Sequence, residues 1–454
     1  METGAAMHAG RNAGRKVLVV GLGRTGLSCA RFLARHGMQV AVTDTAENPA
    51  GLAELQRELP EVALFLGRFD ADAFRHAEQI LVSPGVSLRH PLIEEARSRG
   101  VEVIGDIELF ARHVDAPVVA ITGSNGKSTV TTLVYDMARR AGRRVRMGGN
   151  IGIPALDLLD AGEVDLFVLE LSSFQLETLH SLQPAAAVVL NVSPDHMDRY
   201  SGLDEYAAAK ARIYRNAGLQ VVNLDDPAAA RLADPNRPQL GFRLGTPVDE
   251  GYGLRRHEGC EFIARGEELL LPVDAVRMAG RHNLANALAA LALGEVLGLP
   301  AEPMLAALRE FGGLPHRTQW LAAAEGVDWY NDSKATNVGA TLAAISGFEE
   351  RPLVLIMGGQ GKGADFSPLR EAVCGRARAV VLLGEDAAEI EAALGGCVPV
   401  QRVADMRQAV ETAARLARPG DAVLLSPACA SFDMFEGYED RGRRFAEALQ
   451  EFLA

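Results

Sequence analysis

Short apolar runs, each closed by glycine, serine or a carboxylate, alternate along this chain with stretches whose apolar residues recur at three- and four-residue spacing. That rhythm predicts buried parallel strands joined by helices. A first block opens with Val17–Val20, continues in an amphipathic helix through Arg35, and adds a second strand at Gln39–Val42. A second block starts with the run before Thr122 and carries strands at Asp165–Leu171, Ala186–Val192 and Gln220–Leu224. It closes in a helix from Asn283 to about Leu297, where Leu284, Leu288 and Leu291 mark a core face. A third block follows Phe311-Gly312-Gly313, with strands at Leu353–Met357, Ala379–Leu383 and Ala422–Leu425. The expected class is α/β, in three domains at 16–113, 114–312 and 313–454 behind a flexible segment 1–15, with mostly parallel sheets and ligands at their C-terminal edges.

Composition narrows the picture. A length of 454 residues fits three domains at ~150 residues each. The 48% apolar content excludes disorder, and no apolar run approaches the ~18 residues of a membrane span. The net charge of -13 argues against a nucleic-acid partner. Five cysteines without CxxC spacing suit reduced thiols better than a disulfide framework or a zinc site. The polar start of the chain, followed by an apolar run too short for a signal peptide, predicts a cytoplasmic protein without membrane insertion.

The most informative stretch is Gly123-Ser124-Asn125-Gly126-Lys127-Ser128-Thr129, between an apolar strand and a helix. Two glycines let backbone N–H groups turn inward around oxyanions, the helix start adds its positive dipole end, Lys127 adds charge, and the Ser128 hydroxyl suits Mg²⁺. It predicts a nucleoside triphosphate site, although Ile121 stands where the generic motif has its first glycine. Gly21-Leu22-Gly23-Arg24-Thr25-Gly26, with Asp44 after the next strand, is a second nucleotide-type corner of weaker specificity. Glu170 ends a strand and is placed to hold Mg²⁺. His196 is either a metal ligand, a substrate contact or a surface histidine. Lys210, from its local pattern, reads as a solvated helix-face lysine.

These stretches, with Gly149-Asn150-Ile151-Gly152, Glu170-Leu171-Ser172-Ser173-Phe174-Gln175, Asp195-His196-Met197-Asp198 and Gly280-Arg281-His282-Asn283, resemble the Mur ligase motifs in order. Mur ligases are ATP-dependent amino-acid ligases of peptidoglycan synthesis. The loops Asn331–Asn337 and Ser426–Asp433 are similar to those of the family's D-glutamate-adding members.

The resemblance implies a Rossmann-like N-terminal domain, a P-loop ATPase-like central domain and a Rossmann-like C-terminal domain. It implies that Thr25, Asp44, Thr45, Ser83, Pro84, Gly85, Asn150 and His196 receive UDP-N-acetylmuramoyl-L-alanine. ATP falls to Gly123 through Thr129 with Asn283, Arg317 and Asp332. D-Glutamate falls to Lys334, Thr336, Lys362, Ser431 and Tyr438. Two Mg²⁺ ions are implied on Ser128, Glu170, His196 and Lys210, with Lys210 carbamylated; Lys127, His196 and Lys210 are the implied catalytic residues, in a monomer.

Three rivals remain on the residues themselves. A dehydrogenase explains the first glycine corner alone, and a nucleotide switch leaves Glu170 and the third-block loops without a role. A relative adding another amino acid is the nearest alternative, although the diaminopimelate-type Asp-Asn-Pro-Arg sequence is absent.

Overall fold

The structure is a computed structural model that describes residues 14–160, 162–193, 195–196, 199–278, 280–348, 351–361 and 363–454. Three sheets organise it. The first has the order β3-β2-β1-β4-β5, from strands Lys16–Val20, Gln39–Thr43, Ala63–Phe65, Gln79–Val82 and Glu102–Ile104 numbered β1 to β5 along the chain. All its pairings are parallel. The continuous apolar run of β1 has a simple cause. Val17 and Val19 pack with Leu27, Phe32 and Leu33 on one face, and Leu18 and Val20 with Phe74, Ile80 and Ile93 on the other. Both faces are covered, so no polar alternation survives.

The second sheet runs β14-β13-β12-β11-β10-β9-β6-β8-β7. Its strands are Val118–Thr122, Val145–Gly149, Leu166–Glu170, Ala186–Val189, Leu219–Asn223, Gln239–Phe242, Tyr252–His257, Cys260–Arg265 and Glu268–Pro272, numbered β6 to β14. The third runs β15-β16-β20-β17-β18-β19, from Gln319–Ala324, Val327–Asn331, Leu353–Met357, Ala377–Leu382, Val400–Arg402 and Ala422–Leu425, numbered β15 to β20. In this sheet β15 pairs with β16 antiparallel, and the other neighbouring strands pair parallel.

Contacts divide the chain into two units. One comprises residues up to Arg255 with Ala264–Leu269 and Leu288–Met304; the other comprises Arg256–Ile263, Leu270–Ala287 and Leu305–Ala454. The first sheet and β6 to β11 lie in the first unit, and the third sheet lies in the second.

Three sequence expectations are corrected. The strand expected to reach Val192 ends at Val189, because the backbone beyond it leaves the ladder: the Asn191 carbonyl accepts from Ser124 N–H at 3.0 Å and its side chain accepts from Asn125 N–H at 2.8 Å. Lys210 is no solvated lysine, being 1% exposed. The five cysteines are not all reduced thiols. Cys374, at the end of one helix, and Cys397, after the next, form a disulfide with Cα atoms 5.5 Å apart, a juxtaposition set by helix packing rather than by spacing.

Candidate functional site

The corner after β6 forms the expected cradle. β6 pairs with both β8 and β9, so the loops after all three strands meet at one sheet edge. Gly126 takes φ +81°, a left-handed conformation that an L side chain adopts only at a cost, and the helix Lys127–Arg140 starts directly after it. Lys127 Nζ folds back to donate to the carbonyls of Gly123 (2.8 Å) and Ser124 (3.0 Å). Lys210, from the helix Leu203–Ala211, donates to the same Gly123 carbonyl at 2.9 Å. Its ammonium also sits 4.4 Å over the Tyr206 ring. Burial, aided by the neighbouring Lys127 charge, pulls the Lys210 pKa down to about 7. Near neutral pH a substantial fraction is therefore the free amine.

Glu170, the last residue of β8, is 2% exposed. Its Oε1 accepts from Asn150 Nδ2 at 2.7 Å, whereas Oε2 is buried without a hydrogen-bond partner. A buried carboxylate oxygen left in that state is costly unless a cation or donor joins it. Together with the Ser128 hydroxyl at the helix start, it fits the hard-oxygen chemistry of Mg²⁺. Among the described residues no three His, Cys, Asp or Glu side chains converge on a metal position. His196 has φ +55° and its ring lies 4.8 Å from Phe174 and 3.5 Å from Asp195 Oδ2, with the side chain half exposed.

The first glycine corner is built differently. The strand order of the first sheet reverses between β1 and β4, and a cavity of about 450 Å³ opens beside the loops following those two strands. Thr25, Asp44, Ser83, Pro84, Gly85 and Asn150 all line it. Thr45 and His196 do not; Thr45 is exposed. Gly26 is obligatory, since a Cβ there would stand 1.9 Å from the Gly21 carbonyl oxygen. Asp44 accepts from the N–H groups of Leu22 (2.6 Å) and Ala46 (2.8 Å), so its carboxylate braces the glycine turn as well as facing the cavity.

Sequence reasoning missed three residues here. Arg24 lines the cavity and donates to the Gly152 carbonyl. Gln175 lines it too, with Nε2 donating to Asp106 at 2.9 Å, and its place in a quoted motif was the available signal. Arg199 donates to the carbonyls of Pro84 (3.2 Å) and Val86 (3.0 Å), a reach of more than a hundred residues that no local pattern announces.

In the second unit, the loops after the neighbouring strands β16 and β20 are joined where Ser426 Oγ donates to Asp332 at 2.9 Å. Burial pushes the Asp332 carboxyl up to about 6. Lys334 Nζ donates to the Tyr438 hydroxyl at 3.0 Å, Ser431 is 2% exposed, and Thr336 is exposed. Arg317 lies beside Asp332 and lowers its pKa against the burial, while Asn283 is buried and accepts from Asn286 at 3.2 Å. Lys362 lies outside the described residues, as do 1–13, 194, 197 and 198 of the quoted stretches. Arg441, flagged by no motif, lies buried against the same loops.

Comparison with known proteins agrees with this layout. Residues 15–105 match the MurD-like N-terminal domain of Mur ligases, 121–294 the Mur ligase middle domain, and 316–429 the Mur ligase glutamate ligase domain. The chain is 58% identical over 438 residues to the UDP-N-acetylmuramoylalanine--D-glutamate ligase of Nitrosococcus oceani, covering 96% of this chain and 97% of that protein. It is 54% identical over 437 residues to the enzyme of the same name from Pseudomonas aeruginosa, with the same coverage. Among solved structures, the UDP-N-acetylmuramate-alanine ligase of Thermotoga maritima shares the fold at TM-score 0.58 and 21% identity, covering 96% of this chain and 99% of that one.

Proposed function

The chain belongs to the Mur ligase family, and we propose a division of its reaction among the residues described above. It is an ATP-dependent ligase with the three Mur ligase domains, adding D-glutamate to UDP-N-acetylmuramoyl-L-alanine through an acyl phosphate and releasing ADP and phosphate in peptidoglycan synthesis. The domain limits are taken as 16–113, 114–312 and 313–454, and the working form as a cytoplasmic monomer. Among the described residues no helix is long and apolar enough to cross a membrane.

A carboxylate does not react with an amine at neutral pH, because oxide would have to leave. The alanyl carboxylate therefore first attacks the γ-phosphorus of ATP, expelling ADP. The amine of D-glutamate, in its neutral form, then attacks the acyl carbon, and the tetrahedral intermediate expels phosphate.

The UDP moiety is assigned to Thr25 near the diphosphate, Asp44 and Thr45 near the uracil, and Ser83, Pro84 and Gly85 lining the cleft, and the muramoyl-alanine arm to Asn150 and His196. The loop Gly123 to Thr129 is assigned to the triphosphate, with the helix start after Gly126 as its anion-facing end, and Lys127 offsets the charge that crowds as carboxylate and phosphate approach. Asn283, Arg317 and Asp332 are assigned further contacts to ATP. Lys334, Thr336, Lys362, Ser431 and Tyr438 are assigned the carboxylates and amine of D-glutamate.

Mg²⁺, where bound, supplies positive charge against the phosphate oxygens; Ser128 and Glu170 would hold one ion, and His196 with a carbamylated Lys210 the second. The lowered pKa of Lys210 supports the carbamate. A neutral amine adds to CO₂, forming the N–C bond and releasing one proton, and a buried cation becomes an anionic oxygen donor.

The observation that carries this reading is the Gly123 carbonyl shared by Lys127 and Lys210. Beside it stands the unpartnered oxygen of Glu170. A phosphate-release panel tests it, with UDP-N-acetylmuramoyl-L-alanine and ATP against D-glutamate, L-glutamate, L-lysine, diaminopimelate and D-alanyl-D-alanine. Release is expected with D-glutamate alone; equal release with another amino acid sinks it.

A further inference from the structure

Arg441 is the second-largest fully buried side chain of the described residues, 1% exposed in the first turn of the C-terminal helix Tyr438–Leu453. A guanidinium carries five N–H donors, and here each has an acceptor. Nε donates to Ser333 Oγ at 3.0 Å. One terminal nitrogen donates to the carbonyls of Ser333 (2.8 Å) and Cys429 (3.0 Å), and the other to those of Gly358 (3.4 Å) and Ala430 (3.3 Å). One side chain thus ties together the loops that leave β16, β17 and β20.

The tie is reinforced from both sides. Ser333 Oγ donates to the Tyr438 carbonyl at 2.8 Å, and Asn331 Nδ2 to the Gly442 carbonyl at 2.9 Å. The residues next to those Arg441 holds are Lys334 and Ser431.

Among the described residues Arg441 makes no ion pair with a carboxylate. Asp433, the acid whose charge it feels, instead accepts from the Glu385 N–H on Oδ2 at 2.9 Å. The Cys429 thiol beside it is pushed up to about 12 by burial, so it stays neutral. Burial pulls Arg441 itself down only to about 10, which leaves it charged at neutral pH. A buried cation neutralised by dipoles alone costs folding energy, and such an arrangement calls for a purpose.

We propose that Arg441 is the positioning residue of the D-glutamate site: its guanidinium holds the Ser333–Lys334 turn and the Cys429–Ser431 turn in one arrangement, and its positive charge behind both turns favours a dicarboxylate there. The proposal rests on the assignment of Lys334 and Ser431 to D-glutamate. Arg441 touches no reacting atom; it acts through the two turns. The side-chain carboxylate of the amino acid is the feature that distinguishes this substrate from lysine and D-alanyl-D-alanine, and a fixed cation behind both turns discriminates on that feature.

The test compares Arg441→Lys, which keeps the charge without the planar fork, and Arg441→Met, which loses both, by steady-state kinetics and Tm. The D-glutamate KM is expected to rise at least ~10-fold in Arg441→Lys and further in Arg441→Met. KM for the UDP substrate should stay within about twofold in the folded fraction, the split that separates ground-state recognition from general damage. A lowered Tm with D-glutamate KM within about twofold of wild type in Arg441→Lys would mean a purely structural arginine and overturn the proposal. If Arg441→Met does not fold, Ser333→Ala replaces it, removing the Nε acceptor while leaving the charge; an unchanged D-glutamate KM there as well as in Arg441→Lys overturns the proposal. Lys334→Ala run in parallel distinguishes the failures. No change in D-glutamate KM in that variant refutes the site assignment itself, whereas a change there without one in Arg441→Lys refutes only the role of Arg441.

Discussion

The first unit contains two strand–glycine–helix corners, after β1 and after β6, that share a backbone plan and differ in what closes them. The corner after β1 is braced by a carboxylate, Asp44, which accepts two backbone N–H groups, and its helix starts with no acidic residue and no side-chain cap. The corner after β6 is closed by two lysines on a single carbonyl. Asp44 consumes backbone donors, which leaves that corner to shape a neutral or donor-bearing group beside its cavity. The lysines consume an acceptor and bring positive charge, and Asn191 takes the N–H groups of Ser124 and Asn125, so the oxyanion side of this corner is the helix start after Gly126. A glycine corner alone thus says "nucleotide"; the charge that closes it says which part of the nucleotide it meets.

The largest effect that could break this contrast is at Lys210. Lys210→Ala is expected to lower turnover by ~10³-fold in the folded fraction, the size of loss seen when a group essential to the transition-state charge is removed. Lys210→Arg should fail equally, because guanidinium keeps the charge but forms no stable carbamate. Full activity of the arginine variant, measured by ADP release, refutes the carbamate.

Lys127→Ala comes next, with a loss of ~10²–10³ in kcat, or ~3–4 kcal/mol. UDP-substrate affinity, read by calorimetry without ATP, should hardly move. Equal losses in both would mean that the two corners do not serve separate ligands.

Gly26→Ala attacks the other corner through sterics. The added methyl meets the Gly21 carbonyl, so either the turn opens or the helix shifts, and a destabilisation of ~1–3 kcal/mol is expected with a raised KM for the UDP substrate. An unchanged melting curve and KM would show the turn to be pliable. Asp44→Ala should cost less, about 1 kcal/mol, since it leaves two backbone donors to water. KM for the UDP substrate should rise while KM for ATP stays put; the reverse would exchange the roles of the corners.

The smallest expected effect is conditional on pH. A free lysine titrates near ~10.4, whereas Lys210 is lowered to about 7, so its reactive neutral amine predominates above that value and is lost as pH falls through it. Turnover should fall below about pH 7, and added bicarbonate should restore part of it at pH 7 but not in Lys210→Arg. No bicarbonate response at any pH in wild type counts against the carbamate.

Much of this was legible in the chain because the signals are local. A covered strand reads as an unbroken apolar run, as in Val17–Val20 and Leu353–Met357, and both glycine corners are written in consecutive residues. Glu170 was placed by its position at a strand end, which needs only the sheet rule. Thr45 shows the limit of such placement: one residue beyond Asp44, it is exposed and is not among the residues that line the cavity with Asp44.

Residue types, element order and the positions of the turns were thus determined by the sequence itself, since strand and helix periods and glycine geometry act over a few neighbouring residues. The tertiary structure alone decided which groups lose their water and which distant groups meet. Lys210 became an amine of lowered pKa only because its helix packs over the cradle, and Arg441 became a hub only because three loops from neighbouring strands close around it. Burial and long-range charge are properties of a position in space, and they carry no signature in the local spacing of residues.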